Sequence, residues 1–279
     1  MPARKVCEIL AQNNVTPHPL VCFIGGALFG DLRHLQAGEY EIPQKASFLE
    51  VLTKISHGDV IVYQINFPEG LTSYEIVERL KTLPKLEGDI QDIPQDGTLF
   101  PATYAYKKGE TRAALIQKMM SQMEKLSQDL WTSRPAASAL TSREEMLILA
   151  SLIEKEAALP HEREIVSAVF HNRLKIGMRL QCDPTVVYAI SDGKGQMDRD
   201  LNRADLQKDH PFNTYLNAGL PPSPIANPGL AAMKAALNPA NVTYLYFVAD
   251  GTGGHQFSTI LQDHQKNHRA WRQVRDQKK

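Results

Sequence analysis

The stretch Thr141–Tyr188, TSREEMLILASLIEKEAALPHEREIVSAVFHNRLKIGMRLQCDPTVVY, decides how the chain reads. It predicts two helices in a hairpin, followed by an extended polar segment. Ser142, with Glu145 three residues on, is a capping box ahead of an apolar run. Met146, Leu149, Leu152 and Ile153 then recur at helical spacing. With 3.6 residues per turn, Glu156 falls on that same apolar face, whereas Glu154 points towards solvent. Pro160 suits the first turn of the second helix, in which Ile165, Val166, Val169, Phe170 and Leu174 form the buried stripe. Gly177 is placed as its C-terminal cap. The first helix thus ends with a carboxylate on its inward face, which is costly unless the group is paired, protonated or at work.

Outward from this hairpin the composition is that of a folded chain: 43% hydrophobic and 22% charged residues, in 279 in all. Thirty-one acidic and 31 basic residues leave no net charge, which excludes a nucleic-acid groove as the main function. The basic positions after Gln262 read as a solvated helix face. Cys7, Cys22 and Cys182 have no metal spacing and read as buried free thiols, an odd count allowing at most one disulfide. The longest apolar run, Leu20 to Gly30, is too short to span a bilayer, which needs about 20 residues.

N-terminal to the hairpin, residues 5–36 read as short helices broken at Gly25 and Gly26. A compact alternation follows: a strand at 37–42, a helix at 47–56, a strand at 60–67, a turn at Pro68–Gly70, and a helix at 74–83 capped by Thr72 or Ser73. Residues 84–95 read as a linker, 96–106 as an irregular aromatic stretch, and 110–126 as a helix. Beyond the hairpin, 192–202 is a loop, and 209–228 is polar and proline-rich. A helix at 229–237, a strand at 244–249, a turn at 250–254, a return strand at 256–259 and a final helix with Trp271 complete the chain.

Glu156 is the leading candidate for chemistry. Burial disfavours a charged carboxylate, raises its pKa and suits it to act as a general acid. The same pattern fits a structural carboxylate paired with Arg163, Arg173 or Arg179. Nearby lie Asn172, Gln181, Asp183, Thr185, Tyr188, Asn213, Thr214 and Tyr215, a mix of donors, acceptors and rings suited to sugars. Phe100 and Tyr104, in the aromatic stretch, join Arg163 and Arg173 in the candidate binding set. His161-Glu162 lacks the second histidine of a zinc-protease motif. His264 and His268 stand at i, i+4 without a third ligand. The glycines at 251, 253 and 254 lie between strands, so they do not read as a phosphate loop. Neither a metal nor a cofactor is expected.

ASLIEKEA (150–157), ER (162–163), VFHNRLKIGMRLQCDPTVVYAI (169–190), FNTY (212–215), GLPPSPIANPG (219–229) and YLYFVADGTGGHQF (244–257) resemble the endolytic murein transglycosylase family (MltG, YceG-like). LFPATY (99–104) resembles its aromatic-proline entry motif. The resemblance implies an α+β fold in three parts: a helical lead-in at 1–36 without the family's membrane anchor, a small LysM-like module at 37–88, and a catalytic domain at 89–279. It also implies a lytic transglycosylase of the cell envelope, at the periplasmic face of the inner membrane. Such an enzyme cleaves the MurNAc–GlcNAc β-1,4 bond inside nascent glycan strands, leaves a 1,6-anhydro-MurNAc end, and works beside cell-wall synthesis proteins. Glu156 matches the second glutamate of the family's EKE motif, the lone acid–base, and Asp183 would support it. Cys182 stands where the family favours threonine or a similar small residue, with no chemical consequence expected. The alternatives are a hydrolase using Glu156 with Asp183, since hydrolysis ordinarily needs two carboxyl groups, and a non-catalytic peptidoglycan-binding scaffold.

Overall fold

A computed structural model describes residues 3–29, 35–136 and 138–277. They fall into two compact units: Met1–Ile65 with Leu83–Gly88 and Thr103–Arg112, and Asn66–Thr82 with Asp89–Ala102 and Ala113–Lys279. The architecture is mixed α+β, rich in helix, with small two-stranded sheets. Among the described residues no helix is long and apolar enough to cross a membrane.

The smaller unit contains α1 (Ala3–Gln12), α2 (Pro19–Phe29), α3 (Phe48–His57) and the sheet formed by β1 (Val62–Asn66) and β2 (Thr103–Lys107). Its core gathers Leu10, Val51 and Ile55 around Cys7 and Cys22. Those two cysteines are bonded to each other, not free as the sequence suggested. Packing of α1 on α2 brings their Cα atoms to 5.5 Å, within disulfide reach. The break expected at Gly25-Gly26 is absent, and α2 runs through it. A Cβ on Gly25 would come within 3.0 Å of the Phe48 ring, so that glycine serves helix packing, which outweighs its low helix propensity. Residues 30–34, the end of the predicted helical lead-in, lie outside the described residues.

The strand expected at 37–42 does not form either. Its backbone link to the chain before β1 is one bond, from the Ile61 N–H to the Glu39 carbonyl at 2.8 Å, too little for a ladder. The helix predicted at 47–56 is α3, closed by a complete Ser47–Glu50 capping box and by Gly58 in the left-handed region at φ 70°.

The larger unit holds α4 (Ser73–Lys81, capped by Thr72), α5 (Arg112–Thr132), α6 (Arg143–Glu156), α7 (Arg163–Lys175), α8 (Asp183–Ile190), α9 (Leu230–Leu237), the hairpin β3 (Tyr246–Ala249) and β4 (His255–Ser258), and α10 (Leu261–Gln277). Helix α5 outruns its predicted end, and β2 occupies part of the stretch read as irregular. Helix α6 lies at the centre, packed on α7, α8 and α9, with Met146, Leu149, Leu152 and Ile153 fully buried. Ser142 accepts the Glu145 N–H as expected, but Glu145 returns its bond to the Thr141 N–H, one residue early. Helix α7 ends in a Schellman motif. Gly177 sits at φ 67°, its N–H donates to Leu174, and the Met178 N–H donates to Arg173 at 2.8 Å.

The polar segment after α7 is extended only as far as Cys182; from Asp183 it is helix α8, not the strand-like lid expected through Tyr188. Pro184 sits in the first turn of α8, where a missing N–H costs nothing. The proline-rich segment is anchored to α6 by Ser151, whose Oγ accepts the Ile225 N–H at 3.1 Å. Asn227 ties it to Leu71, Ser73 and Leu99. The β3–β4 pair is antiparallel, with Phe247 opposite Phe257 and Ala249 opposite His255, and α10 packs on both strands.

Candidate active site

The last turn of α6 presents two carboxylates to very different surroundings. Glu154, expected in solvent, is buried instead. Its Oε2 accepts the Gly229 N–H at 2.9 Å and its Oε1 lies 3.4 Å from Arg163 Nη2. Arg163 also reaches Glu69 at 3.7 Å. Gly229 comes from 75 residues along the chain, and the helical wheel could not supply it.

Glu156 faces a cleft of about 520 Å³, into which Arg173, Gln181, Asp183 and Tyr215 also project. Burial pushes its carboxyl up to about 7, and the nearby Asp183 adds to the effect. The Cys182 hydrogen bond and the charge of the Arg173 guanidinium oppose it. No cation pairs with Glu156 among the described residues. Arg163 is taken by Glu154. Arg173 donates to the Leu245 carbonyl at 2.6 Å and the Leu180 carbonyl at 2.5 Å. Arg179 donates to the Tyr215 carbonyl. The reading of Glu156 as half of a structural ion pair therefore falls.

Cys182, to which the sequence attached no chemistry, is the direct neighbour of this carboxyl: its thiol donates to Glu156 Oε1 at 3.2 Å. Burial and the adjacent carboxyl hold that thiol well above its ordinary pKa, so it stays a donor. Its own backbone is clamped on both sides. The Cys182 N–H donates to Thr214 Oγ1 at 3.0 Å, and Thr185 Oγ1 donates to the Cys182 carbonyl at 2.7 Å. Gln181, at φ +47°, donates its N–H to the Thr214 carbonyl. Asn213 shapes the 213–215 turn by bonding Leu206, Lys208 and the Tyr215 N–H. The Tyr215 hydroxyl donates to Asp183 Oδ1 at 2.5 Å.

The structure thus brings Glu156, Arg173, Gln181, Asp183 and Tyr215 into one cleft. Thr185, Asn213 and Thr214 are buried and hold its wall from behind. Tyr188 is turned to Asp96, donating at 2.7 Å. Asn172 bonds the Val242 and Tyr244 carbonyls and borders a different cavity, of about 930 Å³. Phe100 is packed in the core, and Tyr104 is buried on β2 in the smaller unit. Arg163 serves Glu154.

Sequence reasoning missed the opposite wall. Tyr246, Phe247 and His255 of the hairpin, with His264, His268 and Trp271 of α10, complete the cleft. Their rings follow one another: Tyr246 stacks on His264 at 5.2 Å, His264 lies 6.3 Å from His268, and His268 lies 5.6 Å from Trp271. The spacing of positions 264, 268 and 271 on one helical face is the available signal, on a helix that the sequence reads as solvated. Among the described residues no group of three metal-ligating side chains is gathered.

Comparison with known proteins agrees with the motifs. The model of the YceG-like family matches residues 1–270. An endolytic murein transglycosylase of Bacillus subtilis (strain 168) is 42% identical over 62% of this chain and 47% of its own length. One from Streptococcus pneumoniae (strain ATCC BAA-255 / R6) is 28% identical over 95% of this chain and 55% of its own. The chain therefore spans about half the length of the curated relatives it matches. The crystal structure of a YceG-like protein from Listeria monocytogenes superposes with a TM-score of 0.60 at 30% identity, covering 95% of both chains. With a family model matched along almost its whole length and a solved relative of the same fold, the chain belongs to the YceG-like family.

Proposed function

We propose that this chain carries the catalytic part of a peptidoglycan lytic transglycosylase, and that Glu156 is its acid–base. The observation that carries the reading is a single carboxyl group, unpaired with any cation among the described residues and pushed up to about 7, at the head of an open cleft. A group with that pKa is protonated often enough near neutrality to act as an acid, and its conjugate base is strong enough to take a proton back. Glu156 gives its proton to the bridging oxygen as the bond from the MurNAc anomeric carbon breaks. The C6 hydroxyl of the same sugar bonds to that carbon, and its proton passes to the Glu156 carboxylate. Atoms balance without water, and the product ends in 1,6-anhydro-MurNAc.

Asp183, bound by the Tyr215 hydroxyl and raising the Glu156 pKa, supports the acid rather than attacking. Arg173, Gln181 and Tyr215 on one wall, and the ring row from Tyr246 to Trp271 on the other, are the surfaces for the glycan strand. Residues 37–88 are read as the LysM-like module, 1–36 as the lead-in and 89–279 as the catalytic domain. The Cys7–Cys22 bond suits an oxidising envelope compartment. There the protein would act on nascent strands beside cell-wall synthesis proteins at the inner membrane.

The test is the mass of products from uncrosslinked glycan strands. Anhydro-MurNAc ends that vanish with Glu156→Gln support the proposal. Reducing MurNAc ends would make the protein a hydrolase using Glu156 with Asp183, and strand binding without turnover would make it a scaffold.

A further inference from the structure

His255 stands in the same cleft as Glu156, and its placement is built with care. Its Nδ1 lies 2.7 Å from Glu162 Oε2, and its backbone N–H donates to Glu162 Oε1 at 2.9 Å. Glu162 is 5% exposed, on the 3-10 turn that leads into α7. Both its oxygens are therefore committed to one residue, 93 positions away. The turn before His255 is shaped for the approach. Asp250 Oδ1 accepts the Thr252 N–H, the Thr252 hydroxyl and the Gly254 N–H. A Cβ on Gly254 would come within 2.8 Å of Glu162 Oε1, so only glycine lets the carboxylate in. The Phe247 ring meets the imidazole edge-on at 5.2 Å and fixes its plane. The other ring nitrogen, Nε2, has no hydrogen-bond partner among the described residues.

A carboxylate can only accept hydrogen bonds. Glu162 therefore keeps the proton of the neutral imidazole on Nδ1 and leaves the Nε2 lone pair free. A carboxylate–imidazole pair thus stands beside the lone acid, and it is not needed to explain how Glu156 works. We propose that His255 contacts the substrate, its Nε2 accepting a hydrogen bond from a hydroxyl or acetamido N–H of the glycan, and that Glu162 is the positioning residue that fixes the tautomer. This rests on the transglycosylase reading of the same cleft. It adds a polar contact on the hairpin side, opposite Gln181 and Asp183. Orientation of this kind is worth about 100-fold in rate when lost.

The experiment compares His255→Phe, His255→Gln and Glu162→Gln, in the full chain, on uncrosslinked glycan strands, with Glu156→Gln as the control for the chemistry. His255→Phe keeps the ring shape and loses the acceptor, and kcat/KM falls about 100-fold. His255→Gln retains a carbonyl acceptor and recovers most of that loss. In Glu162→Gln the amide oxygen must still take the His255 N–H, so the amide N–H faces Nδ1 and forces the proton onto Nε2. The 15N resonances of the imidazole then exchange their donor and acceptor signatures, and activity falls with the fold intact. A structural Glu162 would lower stability without exchanging them. The proposal is overturned if His255→Phe turns over like the wild type while Glu156→Gln is dead, if His255→Gln and His255→Phe lose activity equally at unchanged Tm, or if the tautomer survives Glu162→Gln. A wild type with no turnover at all would instead sink the transglycosylase reading itself.

Discussion

The two sides of the last turn of α6 carry the same functional group and put it to opposite uses. On one side Glu154 receives a backbone N–H and an arginine, and its charge is neutralised within the unit. On the other, Glu156 receives a thiol and an open cleft, and no cation among the described residues. Burial raises the pKa of both. Only at Glu154 do direct bonds from a cation and a backbone N–H oppose it. Glu39 in the smaller unit marks the other limit: the Tyr63 hydroxyl and the Lys85 and Lys108 ammonium groups pull it down to about 2. A carboxylate becomes an acid near neutrality through what is kept away from it as much as through burial.

Changing each side in turn should separate the two uses. The largest effect belongs to Glu156→Gln, which should lower turnover about 1000-fold, seen as loss of released product, while Glu154→Gln leaves the chemistry standing. The same variant should be the more stable protein. The folded pKa of Glu156, about 7, lies above its ordinary value of 4.5. Its contribution to stability is therefore complete below 4.5 and is lost as pH rises through 7. Denaturant unfolding at pH 8 should show Glu156→Gln gaining about 3 kcal/mol over the wild type, and at pH 4 the gain should vanish.

Arg163→Ala acts on the other side. It leaves Glu154 buried without its cation and should cost about 3 kcal/mol in the same measurement, with the pH–rate profile unmoved. Trp271→Ala should raise KM about fivefold at constant kcat, as expected for a wall that binds without reacting. The smallest effect is that of Cys182→Ala. The thiol bond lowers the Glu156 pKa, so its loss moves the fall of activity with rising pH to a higher pH, with kcat on the plateau little changed.

Much of this contrast was legible in the sequence. Helical periodicity put Glu156 on the apolar face of α6, and cap residues located α4, α6 and the end of α7. The Asp250–Gly254 run announced its hairpin. What could not be read depends on partners distant in sequence. The periodicity that placed Glu156 also put Glu154 in water, because Gly229 stands 75 residues away. Residues 37–42 look like a strand but lack a ladder. Cys7 and Cys22 meet only once α1 packs on α2. Helix α8 is a different case: Pro184, just inside its start, is a local signal for a helix that the sequence carries. The ring row on α10 was visible in its spacing, but only the hairpin packed against it reveals that it lines a cleft.

The central claim, that Glu156 holds its proton near neutral pH because nothing cationic pairs with it, is tested most directly by following its side-chain carboxyl 13C resonance through a pH titration, with Glu156→Gln to assign the signal. The account predicts a midpoint near 7. A midpoint at the ordinary value of 4.5 would contradict it.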